Sequence, residues 1–211
     1  MATAVTTANT TRNSAALGAV LFAALGASLV VVGAGRWPGS YAASFAEVTY
    51  RQAALLGAPL DEATLDRAAA RLDPSRAAFL DMRLAQERGL RTAAGRARLR
   101  RAAVELERGL RLAPADAYAW TRRAAVLVQL AGASESAARS LSFALMIAPH
   151  DRRLGPIQFD LAVVLWPQMD VAGREALARR ARFIAATPDL APQAHAFAAT
   201  ALGQSLLAGA K

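Results

Sequence analysis

The chain has 211 residues, of which 55% are hydrophobic but only 6% aromatic, so alanine and leucine dominate and closely packed helices are favoured over β-sheet. It has no cysteine and two histidines, His150 and His195, which excludes disulfides and thiolate metal sites and leaves little for a histidine-based site. The net charge is +9, with Lys211 the only lysine among 25 basic residues, which indicates either an acidic partner or surface, or the codon usage of a GC-rich genome.

The first predicted element is a transmembrane helix at residues 13–35, which follows a short polar tail at residues 1–12. This stretch has no charged residue, and as a helix it spans roughly 34 Å, against about 30 Å for the hydrocarbon core of a bilayer. Trp37 follows it, where amphipathic aromatics often sit at the membrane interface. The alternative is a cleavable signal peptide with Val32 and Ala34 at positions −3 and −1. The length of the apolar stretch favours an uncleaved anchor.

The orientation of this anchor follows from the residues on either side of it. Arg12 lies on one side, and Arg36 and Arg51 lie on the other. Because the tail has no evident fold, we expect it in the cytoplasm, which places residues 36–211 in the periplasm. The expected location is therefore the inner membrane of a Gram-negative bacterium, with a single membrane pass. A domain that faces the cytoplasm is the alternative.

Residues 36–211 are predicted to form an all-α domain. Apolar residues recur there at spacings of three and four, and no segment alternates as a half-buried strand does. Candidate N-cap residues mark the breaks: Asp73 and Thr187, each followed by proline, and Asp116, Ser134 and Asp170. The predicted helices cover residues 40–57, 61–71, 74–92, 95–113, 116–131, 134–148, 153–166, 171–186 and 190–208.

An internal repeat lies within this helical region. Small, apolar and proline positions recur at a spacing of 35 residues: Ala102, Leu106, Gly109 and Pro114 are matched by Ala137, Leu141, Ala144 and Pro149. This pattern resembles the tetratricopeptide repeat, a helix–turn–helix of about 34 residues. Trp120 occupies the family's aromatic position early in the next unit, whereas Arg123-Ala124 replaces the Leu-Gly pair of the family.

The tetratricopeptide resemblance implies an α-solenoid of helical hairpins, in which the first helices of successive units line a groove. Such grooves bind extended peptides or helices of a partner protein. Carried over by position, the residues that point into the groove are Glu87, Arg91, Tyr118, Arg122, Arg153 and Asp160. The alternative is that these are ordinary exposed polar residues.

A second resemblance concerns the stretch from Leu141 to Pro188. Its Ala-Pro-His-Asp turn, its FDLAVVLWP segment and its arginine-rich last helix are similar to small, single-anchor proteins associated with bacterial exopolysaccharide or O-antigen biosynthesis. This similarity implies a membrane-anchored scaffold or adaptor for envelope polysaccharide biosynthesis or export. Its partners would be other inner-membrane or periplasmic envelope proteins. The alternative is a soluble periplasmic peptide- or glycan-binding module that signal cleavage releases.

The densest basic stretch of the chain runs from Arg88 to Arg111. Its centre, Arg98, Arg100 and Arg101, is predicted to dock anionic lipid, an anionic glycan or an acidic protein segment. The alternative is a solvated helix face with pairing between neighbouring turns. Nucleic acid is not an expected partner, because no aromatic residues interleave with the arginines for base stacking.

No catalytic motif occurs in the chain. The patterns G-x-S-x-G, G-x-G-x-x-G and H-E-x-x-H and the phosphate-binding P-loop are all absent. His150 and His195 are expected at the surface, and Asp61-Glu62 is expected to begin a helix, where negative charge is favourable. We therefore expect neither an enzyme nor a bound cofactor or metal.

Overall fold

The computed structural model describes residues 42–54 and 61–208 of the chain. The predicted tail at residues 1–12 and the predicted transmembrane helix at residues 13–35 lie outside these residues. None of the helices in the described segments combines the length and the apolar character that crossing a membrane requires. The chain divides into two units, Met1–Glu47 and Val48–Lys211.

The described residues are helical and contain no strand, which confirms the predicted all-α class. Two short 3-10 turns, Trp166–Gln168 and Pro188–Leu190, interrupt the series of α-helices. In chain order the helices are α1 (42–54), α2 (Glu62–Ala69), α3 (Pro74–Arg88), α4 (Ala93–Leu112), α5 (Ala117–Ala131), α6 (Glu135–Ile147), α7 (Gly155–Leu165), α8 (Val171–Ala185), α9 (Ala191–Ala198) and α10 (Ala201–Ala208).

Helices α2 to α6 and α8 begin at a side chain that accepts a hydrogen bond from a backbone N–H of the first turn. These N-cap residues are Asp61, Asp73, Thr92, Asp116, Ser134 and Asp170. The predictions for Asp73, Asp116, Ser134 and Asp170 are thus confirmed. The prediction for Thr187 is wrong, because its hydroxyl donates to the carbonyl of Phe183 at 2.7 Å and a 3-10 turn follows.

Two predicted helices are too long, and a local cause is visible in each. The helix predicted at 74–92 ends at Arg88, because Gly89 adopts a positive φ of 84°. The helix predicted at 190–208 breaks into α9 and α10. Thr200 accepts from the N–H of Gly203 at 3.0 Å and caps α10. A Cβ on Gly203 would lie 1.9 Å from the carbonyl oxygen of Phe197, so the close approach at this break requires glycine.

The helices pack mainly in chain order. Each of α3 to α6 packs against the next helix, and α8 packs against α6, α9 and α10. Alternate helices are also in contact: α3 contacts α5, α5 contacts α7, and α7 contacts α9. The helices α3, α5, α7 and α9 therefore form one layer, and we call them the first helices. The others, α4, α6 and α8, are called the second helices.

Two hydrophobic clusters in the described part of the core both include residues of α5. The N-terminal cluster joins α3, α4 and α5 through residues such as Leu99, Leu106 and Val126. The C-terminal cluster extends from α5 to α9 and includes Leu141 and Leu177, with residues of α10 packed against it.

The small residues of the repeat, Ala102, Gly109, Ala137 and Ala144, are all buried in helix–helix contacts, as the repeat predicts. A Cβ on Gly109 would lie 2.8 Å from the hydroxyl oxygen of Ser75, which shows how closely α3 approaches α4. Small residues at these positions therefore set the spacing of the helices.

Candidate binding groove

A largely apolar groove lies over three of the first helices, α3, α5 and α7. Its volume is about 330 Å³. The lining side chains come from α3, α5 and α7, with Leu90 of the following loop and Leu99 of α4: Met82, Gln86, Leu90, Leu99, Ala125, Val126, Val128, Gln129, Ile157, Asp160, Leu161 and Val164. Val164 is 46% exposed although it is a large apolar residue. The groove thus presents apolar surface to solvent on a packed helical layer.

A second cavity, of about 370 Å³, continues this surface between α7 and α9. The rings of Phe159 and Phe197 stack there, with their centroids 4.1 Å apart. Asp160 lines both cavities and is the one charged residue among their lining residues. We call the two together the binding groove. A carboxylate at the junction of two apolar cavities suits a bound segment with one basic side chain between apolar ones.

Asp160 is the one predicted groove residue that lines the binding groove. Tyr118, Arg122 and Arg153 lie near the starts of α5 and α7, beside it. Burial and the neighbouring Asp151 carboxylate raise the pKa of the Tyr118 phenol. The Arg122 guanidinium is 5.1 Å from the centre of the Phe79 ring. These side chains connect neighbouring first helices and line neither cavity.

Glu87 and Arg91, the remaining predicted groove residues, also lie away from the cavities. Glu87 is exposed near the end of α3, where its carboxylate accepts from Arg83 Nε at 3.1 Å. Arg91 is exposed in the loop between α3 and α4, because α3 ends before it. The family pattern therefore predicts the helices that border the binding groove. Of the residues it predicts, only Asp160 lines a cavity of that groove.

Sequence reasoning missed the apolar members of the groove, chiefly Val128, Ile157 and Val164. A signal for them was present in α7, whose sequence GPIQFDLAVVL carries apolar residues on every face. A helix on the surface of a domain is expected to be apolar on one face only. Apolar residues on a second face indicate a second contact surface, and in α7 that surface borders the groove.

The predicted docking arginines Arg98 and Arg101 are held by carboxylates of other helices. Arg98 donates to Asp66 at 2.5 and 2.8 Å and to Asp81 at 3.1 Å, and it also pairs with Glu62. Its side chain is only 15% exposed. Arg101 pairs with Asp66 and Asp81 at 3.2 and 3.1 Å. Both residues are therefore paired with acids that α2 and α3 supply and that the local sequence does not contain, and docking of a partner at Arg98 and Arg101 stays a prediction.

The charges within this ion-pair network shift one another's pKa values. Hydrogen bonds from Arg98 lower the pKa of Asp66 and of Glu62, and the bond to Asp66 raises the pKa of Arg98. Burial raises the pKa of Asp81 despite its two guanidinium neighbours. Arg100, the third predicted docking residue, is exposed on α4 and forms no ion pair with any residue of the described segments. Arg101 is also exposed, at 45%, so Arg100 differs from it in having no carboxylate partner in the described segments.

Comparison with known proteins identifies no relative of this chain. No protein-family model, curated protein sequence or solved structure matches it. A function can therefore be assigned only from the residues of the chain and the geometry of the groove.

Proposed function

We propose that the protein is a membrane-anchored adaptor whose binding groove holds an apolar segment of a partner protein of the bacterial envelope. The process it serves is the biosynthesis or export of an envelope polysaccharide. The observation that carries the proposal is the apolar groove over the first helices. Contiguous apolar surface on a folded domain commonly marks a site of protein association.

The arrangement of the helices supports an adaptor of the tetratricopeptide type. First helices that pack side by side form a rigid surface, and rigid surfaces of stacked helical pairs bind peptides and helices without large rearrangement. An amphipathic helix binds such a groove through apolar side chains at helical spacing. The carboxylate of Asp160 adds a preference for an arginine or lysine in the middle of that segment.

The apolar stretch at residues 13–35 supports attachment to the membrane. A tether restricts the groove to the neighbourhood of the bilayer and raises its effective concentration for other membrane proteins. A weak groove can therefore suffice to recruit a partner that is anchored in the same membrane. The similarity of residues 141–188 to proteins of exopolysaccharide or O-antigen biosynthesis supports a partner from an envelope polysaccharide system.

Site-specific photocrosslinking in cells tests this proposal. A photoreactive amino acid placed at Val164, in the groove, is expected to crosslink an integral or periplasmic envelope protein. The matched control is Val171, which is apolar and 72% exposed but lies outside the groove. Val164→Glu should abolish capture of the same partner from detergent-solubilised membranes, and Val171→Glu should not. Equal crosslinking from both positions, or equal capture by both variants, would refute a specific groove.

The state of the N-terminus separates the anchored adaptor from a released module. Mass spectrometry of the protein from isolated membranes is expected to find the segment 13–35 intact. A mature protein that starts near Gly35 would instead support the soluble peptide- or glycan-binding module.

A further inference from the structure

A second groove lies between the second helices α4 and α6, with α5 beneath it. Its volume is about 400 Å³, and it shares no lining residue with the binding groove. Its most prominent side chains are three arginines and two aromatic residues: Arg111, Arg123, Arg139, Trp120 and Phe143. We call it the arginine–aromatic cleft.

Two aromatic rings give the cleft an apolar contact surface. Trp120 and Phe143 pack with their centroids 5.0 Å apart and their planes inclined by 31°. The Trp120 indole N–H already donates to the carbonyl of Pro114 at 2.8 Å, so the ring offers a bound molecule only its apolar surface. Phe143 remains 45% exposed. A large apolar side chain of a ligand can therefore pack on this pair.

The three arginines come from three different helices and converge on the same cleft. Arg123 lies over the Trp120 ring, 5.8 Å from its centre, and donates to the Ser140 hydroxyl at 2.6 Å. Within the segments that the structure describes, Arg123 has no carboxylate partner. Its guanidinium retains further N–H donors for a ligand, since it has five in all.

The other two arginines pair, within the described residues, with carboxylates on their own helices. Arg111 lies 3.1 Å from Glu107, and Arg139 lies 3.4 Å from Glu135, one helical turn away in each case. All four side chains are largely exposed, and exposed pairs of this kind are weak. A ligand carboxylate can therefore replace these partners at little cost. The cleft has an excess of positive charge, because Glu107 is the one acid among its lining residues.

We propose that the arginine–aromatic cleft is a second binding site, which takes an acidic peptide segment of a partner protein. Aspartate or glutamate side chains of the segment accept hydrogen bonds from the three arginines, and a neighbouring large apolar side chain packs on Trp120 and Phe143. Arginine and tryptophan are the residues that most often dominate the energy of protein interfaces, and clustered arginines recognise acidic peptide motifs. With two separate sites, one chain can hold two partner segments at once.

Peptide binding measured by fluorescence anisotropy tests the proposal. The probes are a panel of fluorescein-labelled 12-residue peptides of Asp, Glu, Leu and Phe, each with a control in which Asn and Gln replace the acids. We expect the purified full-length protein in detergent to bind acidic peptides of the panel at least about tenfold more tightly than their amide controls. A charge-assisted hydrogen bond of about 1.5 kcal/mol or more accounts for a tenfold change.

Single-charge variants locate the binding. Arg123→Gln and Arg139→Gln are each expected to weaken binding about tenfold or more. Arg182→Gln removes the same charge from an exposed position on α8 outside the cleft and should leave binding unchanged. Circular dichroism would reveal whether Arg123→Gln alters the fold. Because Arg139 is exposed, Arg139→Gln should leave the fold intact and still test the cleft. If all three variants weakened peptide binding equally, the net charge of the protein would explain the binding, and the proposal would be overturned.

Further outcomes separate this site from other occupants and from the binding groove. If no peptide of the panel binds, or if binding persists in both cleft variants, the proposal fails. Tighter, arginine-dependent binding of oligogalacturonate or of phosphatidylglycerol vesicles would assign the cleft to a glycan or to lipid instead. Val164→Glu should leave acidic-peptide binding intact, so failure of the groove and failure of the cleft are distinguishable.

Discussion

Among the residues that the structure describes, Asp81 is one of two charged residues that are almost completely buried, with 1% of its surface exposed. Its carboxylate lies between Arg98 and Arg101, and it joins α3 to α4 through both. One carboxylate oxygen, Oδ2, lies 3.1 Å from Arg101 Nε but without the alignment of a hydrogen bond. Burial raises the pKa of Asp81, whereas the two guanidinium groups stabilise its charged form.

Asp81→Ala is expected to lower the free energy of unfolding by about 1–3 kcal/mol, because Arg98 and Arg101 lose their buried acceptor on α3 and keep only the acids of α2. Urea denaturation followed by circular dichroism measures the change. Glu175→Gln, which breaks an exposed pair with Arg179, serves as the control and should cost less than about 0.5 kcal/mol. A similar loss in both variants would show that burial does not matter here.

Arg180 is the other charged residue that is almost completely buried, also with 1% of its surface exposed. Nη1 donates to the carbonyls of Ala148 and Pro149, each at 3.1 Å, and Nη2 donates to the carbonyl of Asp151. These carbonyls follow the C-terminal end of α6, where the helix dipole favours a positive charge. Burial lowers the pKa of Arg180. The guanidinium thus anchors the turn between α6 and α7.

Arg180→Met is expected to destabilise the fold by about 3 kcal/mol or more, because it retains an apolar stem but leaves the carbonyls of Pro149 and Asp151 without the guanidinium donor. Arg180→Lys should restore part of the loss, since an ammonium donates but cannot span all three acceptors. Thermal unfolding compares these variants with Arg182→Gln, an exposed neighbour whose loss should cost less than about 0.5 kcal/mol. An Arg180→Met protein as stable as the wild type would disprove the anchoring role.

At the scale of the element, α2 shows how charge attaches a short helix. It has eight residues, and its buried face consists of Leu65 and two alanines. Its acids Glu62 and Asp66 bind Arg98 of α4, and Asp66 also binds Arg101. The small apolar face alone contributes little burial. The position of α2 therefore depends on the ion-pair network.

The pKa of Asp66 predicts how this attachment depends on pH. The folded state lowers it below the ordinary value of 3.8, so Asp66 stabilises the fold above that pH, and the contribution is lost as pH falls through the lowered pKa. The raised pKa of Asp81 acts in the opposite sense. Below about pH 4 the wild type should therefore lose more stability than Asp66→Asn does, measured by urea unfolding across the pH range. Parallel pH profiles for the two proteins would contradict this linkage.

At the scale of the whole molecule, the N-terminal and C-terminal clusters each join helices that are neighbours in the chain. Among the described residues, only α5 contributes buried side chains to both clusters, such as Val126 to one and Ala124 to the other. Where contacts join mainly neighbouring elements, stability is distributed among local interfaces. A defect in one cluster should therefore weaken that part of the array more than the other.

Leu177→Ala, in the C-terminal cluster, is expected to cost about 2–5 kcal/mol. Hydrogen exchange measured by mass spectrometry should show the greatest loss of protection in α7 to α10 and a smaller one in α3 and α4. Leu106→Ala, in the N-terminal cluster, should reverse this pattern. Uniform loss of protection in both variants would mean that the array unfolds as one cooperative unit.

The binding groove could be predicted only in part. Asp160 was found because a family pattern places polar residues of the first helices at the groove. The apolar members Val128 and Val164 resemble core residues in the sequence, and only the packing of α7 beside α5 places the half-buried Val128 and the exposed Val164 in a cavity. The ion pairs of Arg98 were missed for the converse reason, because its acidic partners lie 17, 32 and 36 residues away in the chain.

The amino-acid sequence by itself determined the helical class, most helix starts and the small residues at which the helices approach one another. Those features depend on neighbouring residues: an N-cap bonds three positions ahead, and a glycine ends a helix through its own φ. Only the tertiary structure decided which arginines carry free charge and which apolar side chains face solvent. Both depend on helices that are distant in the chain, and pairing between such helices leaves no local pattern in the sequence.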